Sequence, residues 1–141
     1  MLAHQQAKVY REAAARSASP GQLVLMLFDG ALRFMQSSLD GFLETDLIRR
    51  HEAVHNNLQK TQAVLTELQA TLNLEVGGEF GMTMYRLYDF MKDELRKANQ
   101  TKDRSSIEVV IELLSPIRDA WSQMLQQSAP PRPQGQLAVA C

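Results

Sequence analysis

A marked helix start, followed by apolar residues on several helix faces, constrains this chain more than any other feature. Ser19 can accept a hydrogen bond from a free backbone N–H group of a first helical turn. Pro20 fits the first helical position, because the N–H that proline lacks has no partner there. The sequence therefore predicts a helix that begins at Pro20.

This helix carries two parallel apolar lines when its residues are placed at 100° intervals. The first line contains Leu23, Leu27, Ala31 and Phe34, and the second contains Val24, Phe28, Met35, Leu39 and Phe42. A surface helix of a globular protein needs only one such stripe for its core. The second line predicts either a central helix covered on several sides or a groove for another protein, and the sequence leaves both open.

The composition excludes several other classes of protein. A chain of 141 residues fits one domain, and a net charge of −1 with both signs scattered gives no footprint for nucleic acid or an anionic membrane. The longest apolar run, 23–28, is far shorter than the ~20 residues that cross a bilayer. The N-terminus lacks the continuous apolar core of a secretion signal. We therefore expect a cytoplasmic protein that does not insert into membranes.

Apolar residues spaced three and four apart predict an all-α fold of four main helices. We expect the first helix over 20 to about 43, the second over 47–72, the third after a break at 73–78, and the fourth from about 105. Short connections between helices of this length imply an antiparallel four-helix bundle. Asn99 is the predicted end of the third helix, and Pro116 predicts a kink or local break in the fourth.

The sequence thus divides into three parts. Residues 19–127 form the predicted bundle domain, and 1–18 form a short, mobile, alanine-rich helical segment. Residues 128–141 contain several prolines and are predicted to be a disordered tail. The bundle architecture alone does not assign a function, so the chemical motifs have to be considered separately.

One motif, His51-Glu52-Ala53-Val54-His55, is a literal match to the H-E-x-x-H pattern of zinc peptidases. On the predicted second helix Glu52 points to solvent, and no further histidine follows to complete the ligand set. Glu75 or Glu79 would have to supply the third ligand, but neither lies in a recognisable motif. A zinc metallopeptidase remains an alternative, behind the interpretation of the two histidines as one residue at the edge of the core face and one exposed residue.

Other catalytic arrangements find no support in the sequence. Glu52 and His55 match half of a di-iron carboxylate motif, but the only histidine outside 51–55 is His4. Cys141, the single cysteine, is unsuited to be a positioned nucleophile, and no phosphate-binding loop is present. We expect no catalytic residues, no metal and no cofactor, and therefore no enzymatic activity.

Three groups of residues, in order over roughly 10 to 121, resemble the signatures of the flagellin-specific export chaperones of the FliS type. The first contains Tyr10, Ser19, Pro20, Phe28, Asp29, Gly30 and Ala31; the second contains Leu72, Glu75, Gly77, Gly78, Glu79, Leu87, Tyr88, Met91, Ala98 and Asn99; the third contains Leu113, Leu114, Ile117, Arg118, Ala120 and Trp121. Each group is weak alone, whereas three in order form a specific pattern.

This resemblance implies a small cytoplasmic helical-bundle chaperone that binds the C-terminal segment of flagellin in hydrophobic grooves. Such a chaperone keeps flagellin unpolymerised and ready for the flagellar type III export machinery, and a component of the export gate is implied as a further partner. The N-terminal segment, 1–18, would cover part of the groove when no client is bound. The alternative is a helical adaptor for another secreted or regulatory protein.

The resemblance and the helix pattern together select candidate residues for flagellin binding. These candidates are Tyr10, Leu23, Met26, Leu27, Phe28, Ala31, Tyr85, Tyr88 and Met91. Tyr85 and Tyr88 lie just off the core line of the third helix, where an aromatic ring can present an apolar face and reach a polar partner. Ser19 and Pro20 mark the helix start and a hinge for the preceding segment. The oligomeric state is not predicted.

Overall fold

The computed structural model describes residues 19–128, which form four helices and no strands. They are α1 (Pro20–Gly41), α2 (Leu47–Ala70), α3 (Leu74–Thr101) and α4 (Arg104–Ser128). The predicted all-α bundle is confirmed. The predicted segment 1–18 and residues 129–141 of the predicted tail lie outside the described residues, whereas Ser128, the predicted first residue of that tail, is the last residue of α4.

Side-chain caps define where the first three helices begin. Ser19 Oγ accepts a hydrogen bond from the backbone N–H of Gln22 at 3.2 Å, so α1 begins at Pro20. Asp46 Oδ1 accepts from Arg49 N at 3.0 Å at the start of α2. Each cap satisfies an N–H group that has no partner inside its own helix.

The helices form a closed square in which each contacts two neighbours. Helix α1 packs on α2 and α4, and α3 packs on the same two helices, while the backbones of the diagonal pairs do not approach each other closely. The connections between helices, 42–46, 71–73 and 102–103, are so short that consecutive helices must run antiparallel. One core therefore lies along the axis of the square.

Large apolar side chains from all four helices fill this core. Those that are almost completely enclosed include Leu27, Phe28, Met35, Leu58, Leu65, Leu68, Met91, Leu95, Ile107 and Leu114. Two buried hydroxyls find acceptors on α2, because Ser38 Oγ donates to the carbonyl of Val54 and Thr61 Oγ1 donates to the carbonyl of Asn57. The core thus leaves no fully enclosed side-chain nitrogen or oxygen unpaired within residues 19–128.

The predicted break at 73–78 is only partly correct. Helix α3 already begins at Leu74, because Asn73 Oδ1 accepts from Val76 N at 3.2 Å and caps a first turn. Helical geometry fails at Gly78 alone, where φ is 56° and ψ is −131°. Glycine tolerates this positive φ because it has no Cβ, so the chain changes direction there and resumes the helix.

The predicted end of α3 at Asn99 is wrong by two residues. The helix continues to Thr101, and Lys102 follows in the left-handed region with a φ of 52°. Lys102 Nζ donates to the backbone carbonyl oxygen of Asn99 at 2.7 Å and to its Oδ1 at 2.6 Å. This cation therefore stabilises the carbonyl end of the helix.

Of the kink or local break predicted at Pro116, the break is absent, since α4 runs without interruption from Arg104 to Ser128, and the kink stays a prediction. Proline removes the N–H that would bond the carbonyl of Glu112. Both Pro116 and Glu112 are exposed, so water can reach that carbonyl without interrupting the helix. No helix within residues 19–128 is both long and apolar enough to span a membrane.

Candidate binding groove

An open apolar groove of about 560 Å³ lies at the end of the bundle that holds the α2–α3 turn. Helices α1, α3 and α4 and this turn form its walls. Its lining residues are Val24, Phe28, Thr71, Leu72, Asn73, Val76, Gly77, Phe80, Gly81, Met84, Tyr88, Ile117, Ala120, Trp121 and Met124. We call this surface the α1/α3/α4 groove.

Two aromatic rings form the part of the groove between α1 and α4. Phe28 and Trp121 meet edge to face, with ring centroids 6.3 Å apart and an interplanar angle of 65°. Trp121 Nε1 donates to the backbone carbonyl of Gly21 at 2.9 Å. Gly21 also lies close to Leu125 of α4, because a Cβ at position 21 would be only 2.6 Å from Cδ2 of Leu125. The start of α1 is therefore held directly against the second half of α4.

An ion pair links the same two helices. Arg118 Nε donates to Asp29 Oδ1 at 2.7 Å, and Arg118 NH1 contacts Asp119 Oδ1 at 3.2 Å. The hydrogen bond to Asp29 is the main reason why the pKa of Arg118 is raised, so the guanidinium stays charged. Partly exposed pairs of this kind contribute little stability, so the main effect of this pair is to orient α1 and α4.

The wall formed by α3 is strongly exposed. Val76 has 84% of its surface accessible and Phe80 has 71%. Both line the groove on either side of Gly78, where α3 changes direction. Large apolar residues gathered on one concave surface mark a site for another protein or an apolar ligand.

Tyr88 lies deeper in the α1/α3/α4 groove. The residue is only 3% exposed, and burial raises the pKa of its phenol well above the usual value. Its hydroxyl has no hydrogen-bond partner within residues 19–128. The phenol therefore stays protonated and is a neutral donor at any physiological pH.

The predicted site residues fall into three groups. Phe28 and Tyr88 line the groove, although Tyr88 is buried rather than exposed on the flank of its helix. Tyr10 lies outside the described residues. The others contribute nothing to the lining, and they are Leu23, Met26, Leu27, Ala31, Tyr85 and Met91.

Three of these non-lining residues belong to the core. Leu27, Ala31 and Met91 are almost completely enclosed by the bundle, so in this conformation they offer no surface to a partner. Tyr85 is exposed on α3, and its backbone carbonyl accepts a hydrogen bond from Gln69 Nε2 at 3.1 Å. The phase of a helix wheel separates two faces, but it does not say which face a neighbouring helix covers.

Sequence reasoning missed much of the groove. Five lining residues were not among the predicted binding residues, and they belong to the apolar lines of α3 and α4: Phe80, Met84, Ile117, Trp121 and Met124. A signal was present, because these apolar lines continue to the ends of α3 and α4, where fewer neighbouring helices remain to cover them. Val76, next to two glycines, gave no periodic signal.

The His-Glu-x-x-His motif lies on the exposed surface of α2. His51, Glu52 and His55 are all exposed, and His55 Nδ1 is 2.9 Å from Asn99 Nδ2. Lys102 lines the same shallow surface, which places a cation beside the two histidines. Within residues 19–128, no group of three or more histidine, cysteine or acidic side chains is arranged to hold a metal ion.

The fold and the groove define a class of protein: a four-helix bundle with an open apolar surface suited to binding an amphipathic segment of another chain. The family model of the flagellar protein FliS matches residues 2–128. A flagellar secretion chaperone FliS of Salmonella typhimurium is 37% identical over 118 residues, covering 84% of this chain and 85% of the relative. One of Bacillus subtilis is 33% identical over 117 residues, covering 83% and 84%. The chain therefore belongs to the FliS family of flagellar secretion chaperones.

Proposed function

We propose that the α1/α3/α4 groove binds the C-terminal segment of flagellin. Bound there, newly made flagellin stays soluble and unpolymerised until the flagellar type III export machinery receives it. The observation that carries this proposal is the exposure of Val76 and Phe80 on an apolar groove. The relatives named flagellar secretion chaperones support a flagellar client.

The mode of binding follows from the shape and chemistry of the groove. An amphipathic helix can lay spaced apolar side chains into such a surface while its polar face stays in water. Ordering the client costs about 1–2 kcal/mol of backbone entropy per residue. Full burial of a side chain such as Phe80 contributes about 1.5–3 kcal/mol. One anchor therefore offsets the ordering of only one or two residues, so the client needs several anchors along its length.

The same proposal includes a role for residues 1–18. They precede Ser19, and the first turn of α1 lies against Trp121 in the wall of the groove. A segment that leaves α1 at this point can cover the groove when no client is bound, with Ser19 and Pro20 as the hinge. The protein then works without catalysis in the cytoplasm, and an export-gate component receives the loaded complex.

The decisive experiment compares two clients. Purified protein is mixed with full-length flagellin and with flagellin lacking its C-terminal segment, and binding is measured by calorimetry. We expect binding to the first and none to the second. Equal binding to both would contradict the proposed site on flagellin, and no binding to either would favour an adaptor for another secreted or regulatory protein.

A second readout comes from the protein itself. Trp121 is the single tryptophan of the chain and lines the groove. A tryptophan-free peptide that covers the groove should shift the Trp121 emission to shorter wavelength, because its surroundings become less polar. Binding without a shift would place the peptide elsewhere on the bundle.

A further inference from the structure

Tyr88 combines deep burial with an unused hydrogen-bonding group. It is 3% exposed, yet its hydroxyl pairs with nothing in residues 19–128. Every fully enclosed side-chain nitrogen or oxygen in this part of the chain has a partner, so the hydroxyl is not sealed inside the core. Tyr88 is one of the residues that line the groove, so the groove is the surface from which a bound client can reach its hydroxyl.

The other polar residues of the groove have different surroundings. Thr71 Oγ1 donates to the carbonyl of Leu68 at 2.7 Å, and Asn73 Oδ1 accepts from the N–H of Val76 at 3.2 Å. Both residues are exposed, so water remains in reach when a client binds. Tyr88 is the deep polar group, among neighbours such as Phe28 and Met84.

A client that fills the groove displaces the water that can solvate the Tyr88 hydroxyl. If the client presents only apolar atoms there, the donor is left buried without an acceptor, which lowers affinity. If the client presents an oxygen, the donor is satisfied in a low-dielectric site, where a hydrogen bond is strong. The groove thus favours clients that carry one acceptor in the right place.

We infer that Tyr88 is a specificity residue that donates a hydrogen bond to a polar side chain of the client helix. This inference rests on the proposed function. The acceptor is the hydroxyl or carboxamide oxygen of a serine, threonine, asparagine or glutamine set among apolar anchors. A client helix uses its backbone carbonyls in its own hydrogen bonds and presents them whatever its sequence, so only a side-chain acceptor can distinguish one client from another.

A carboxylate is a poor acceptor at this position. Among residues 19–128, no arginine or lysine lines the groove, and Arg118 is already paired with Asp29 and Asp119. A buried carboxylate without a cation bears a large desolvation cost. The inferred client helix is therefore uncharged on its groove-facing side.

The test is the variant Tyr88→Phe, which removes the hydroxyl and keeps the ring. We expect it to bind the flagellin C-terminal segment roughly three- to tenfold more weakly, the range of one net hydrogen bond. Circular dichroism and Tm should stay close to those of the unmodified protein. The matched control is Tyr85→Phe, because Tyr85 is exposed and outside the groove lining. This variant should bind the segment with unchanged affinity.

A double-mutant cycle then identifies the acceptor. Each polar residue of the flagellin segment is replaced by alanine and measured against the unmodified protein and Tyr88→Phe. At one position the client substitution should weaken binding to the unmodified protein and have no further effect on Tyr88→Phe. Additive losses at every position would overturn the inference.

The outcomes separate this inference from the proposed function. If Tyr88→Phe binds the segment as tightly as the unmodified protein does, the inferred hydrogen bond is wrong and the groove function stands. If the unmodified protein does not bind the segment at all, both are wrong.

Discussion

Phe80 and Leu27 are both large apolar residues on a predicted helix seam, but their surroundings are opposite. Leu27 is 1% exposed in the core, whereas Phe80 is 71% exposed in the groove. An acidic substitution at Leu27 would place an unpaired charge among core side chains, so a lost activity there would report unfolding. Phe80 is the residue at which binding can be tested without disturbing the bundle.

We predict that Phe80→Asp weakens flagellin binding by about tenfold or more, because burial of this ring contributes about 1.5–3 kcal/mol. Calorimetry with the C-terminal segment measures the change. The free energy of unfolding should stay within about 0.5 kcal/mol, as for other exposed substitutions.

The control for this prediction is Ile48→Asp. Ile48 is also 71% exposed but lies in the first turn of α2, at the opposite end of that helix from the groove. The Ile48→Asp variant should bind flagellin with the same affinity as the unmodified protein. An equal loss of affinity in both variants would mean that general apolar exposure, and not the groove, determines binding.

At the level of the helices, the two prolines have different consequences because they occupy different helix positions. Pro20 is the first residue of α1, where no N–H partner is lost, and Pro116 is in the interior of α4. In the interior of a helix, proline lowers the stability by about 3 kcal/mol relative to alanine. Part of this loss is offset because proline also lowers the conformational entropy of the unfolded chain. Helix α4 therefore contains a weak point that packing on α1 and α3 compensates.

We predict that Pro116→Ala raises the free energy of unfolding by about 1–3 kcal/mol, because the new N–H can pair with the carbonyl of Glu112. Urea denaturation followed by circular dichroism measures it. Pro20→Ala is the matched control and should change stability by less than about 0.5 kcal/mol. A lower or unchanged stability of Pro116→Ala would contradict this account of α4.

At the scale of the whole molecule, the square of helices buries one core and leaves one end open. The walls of the groove come from three helices, and the ion pair between Arg118 and Asp29 and the bond from Trp121 to Gly21 hold two of them together. The preformed part of the site is thus rigid at α1 and α4. The exposed wall lies on both sides of Gly78, the one non-helical residue inside α3.

We predict that removal of residues 1–18 exposes the groove. The Trp121 emission should move to longer wavelength, and the affinity for the flagellin segment should rise, because no cover has to be displaced. Removal of 129–141 is the matched control and should leave both quantities unchanged. No change after the first deletion would contradict the proposed cover.

The class of fold and most helix limits could be predicted from the sequence, because they depend on local chemistry. Ser19 and Asp46 cap their helices through side-chain oxygens only three residues from their partners. The three signature groups, which include Tyr88 and Trp121, indicated the family that the match over residues 2–128 confirms. Caps between residues three apart and short signature motifs can both be recognised in the sequence without a structure.

Only the tertiary structure decided which apolar surfaces are core and which are groove. Leu27 and Phe28 are neighbours in sequence, yet one is enclosed and the other also lines the groove. Helical periodicity gives the direction in which a side chain points from the axis of its helix. Whether that side chain is covered depends on where the three other helices begin and end. For the same reason, only the three-dimensional surroundings of Tyr88 show that its hydroxyl has no hydrogen-bond partner within residues 19–128.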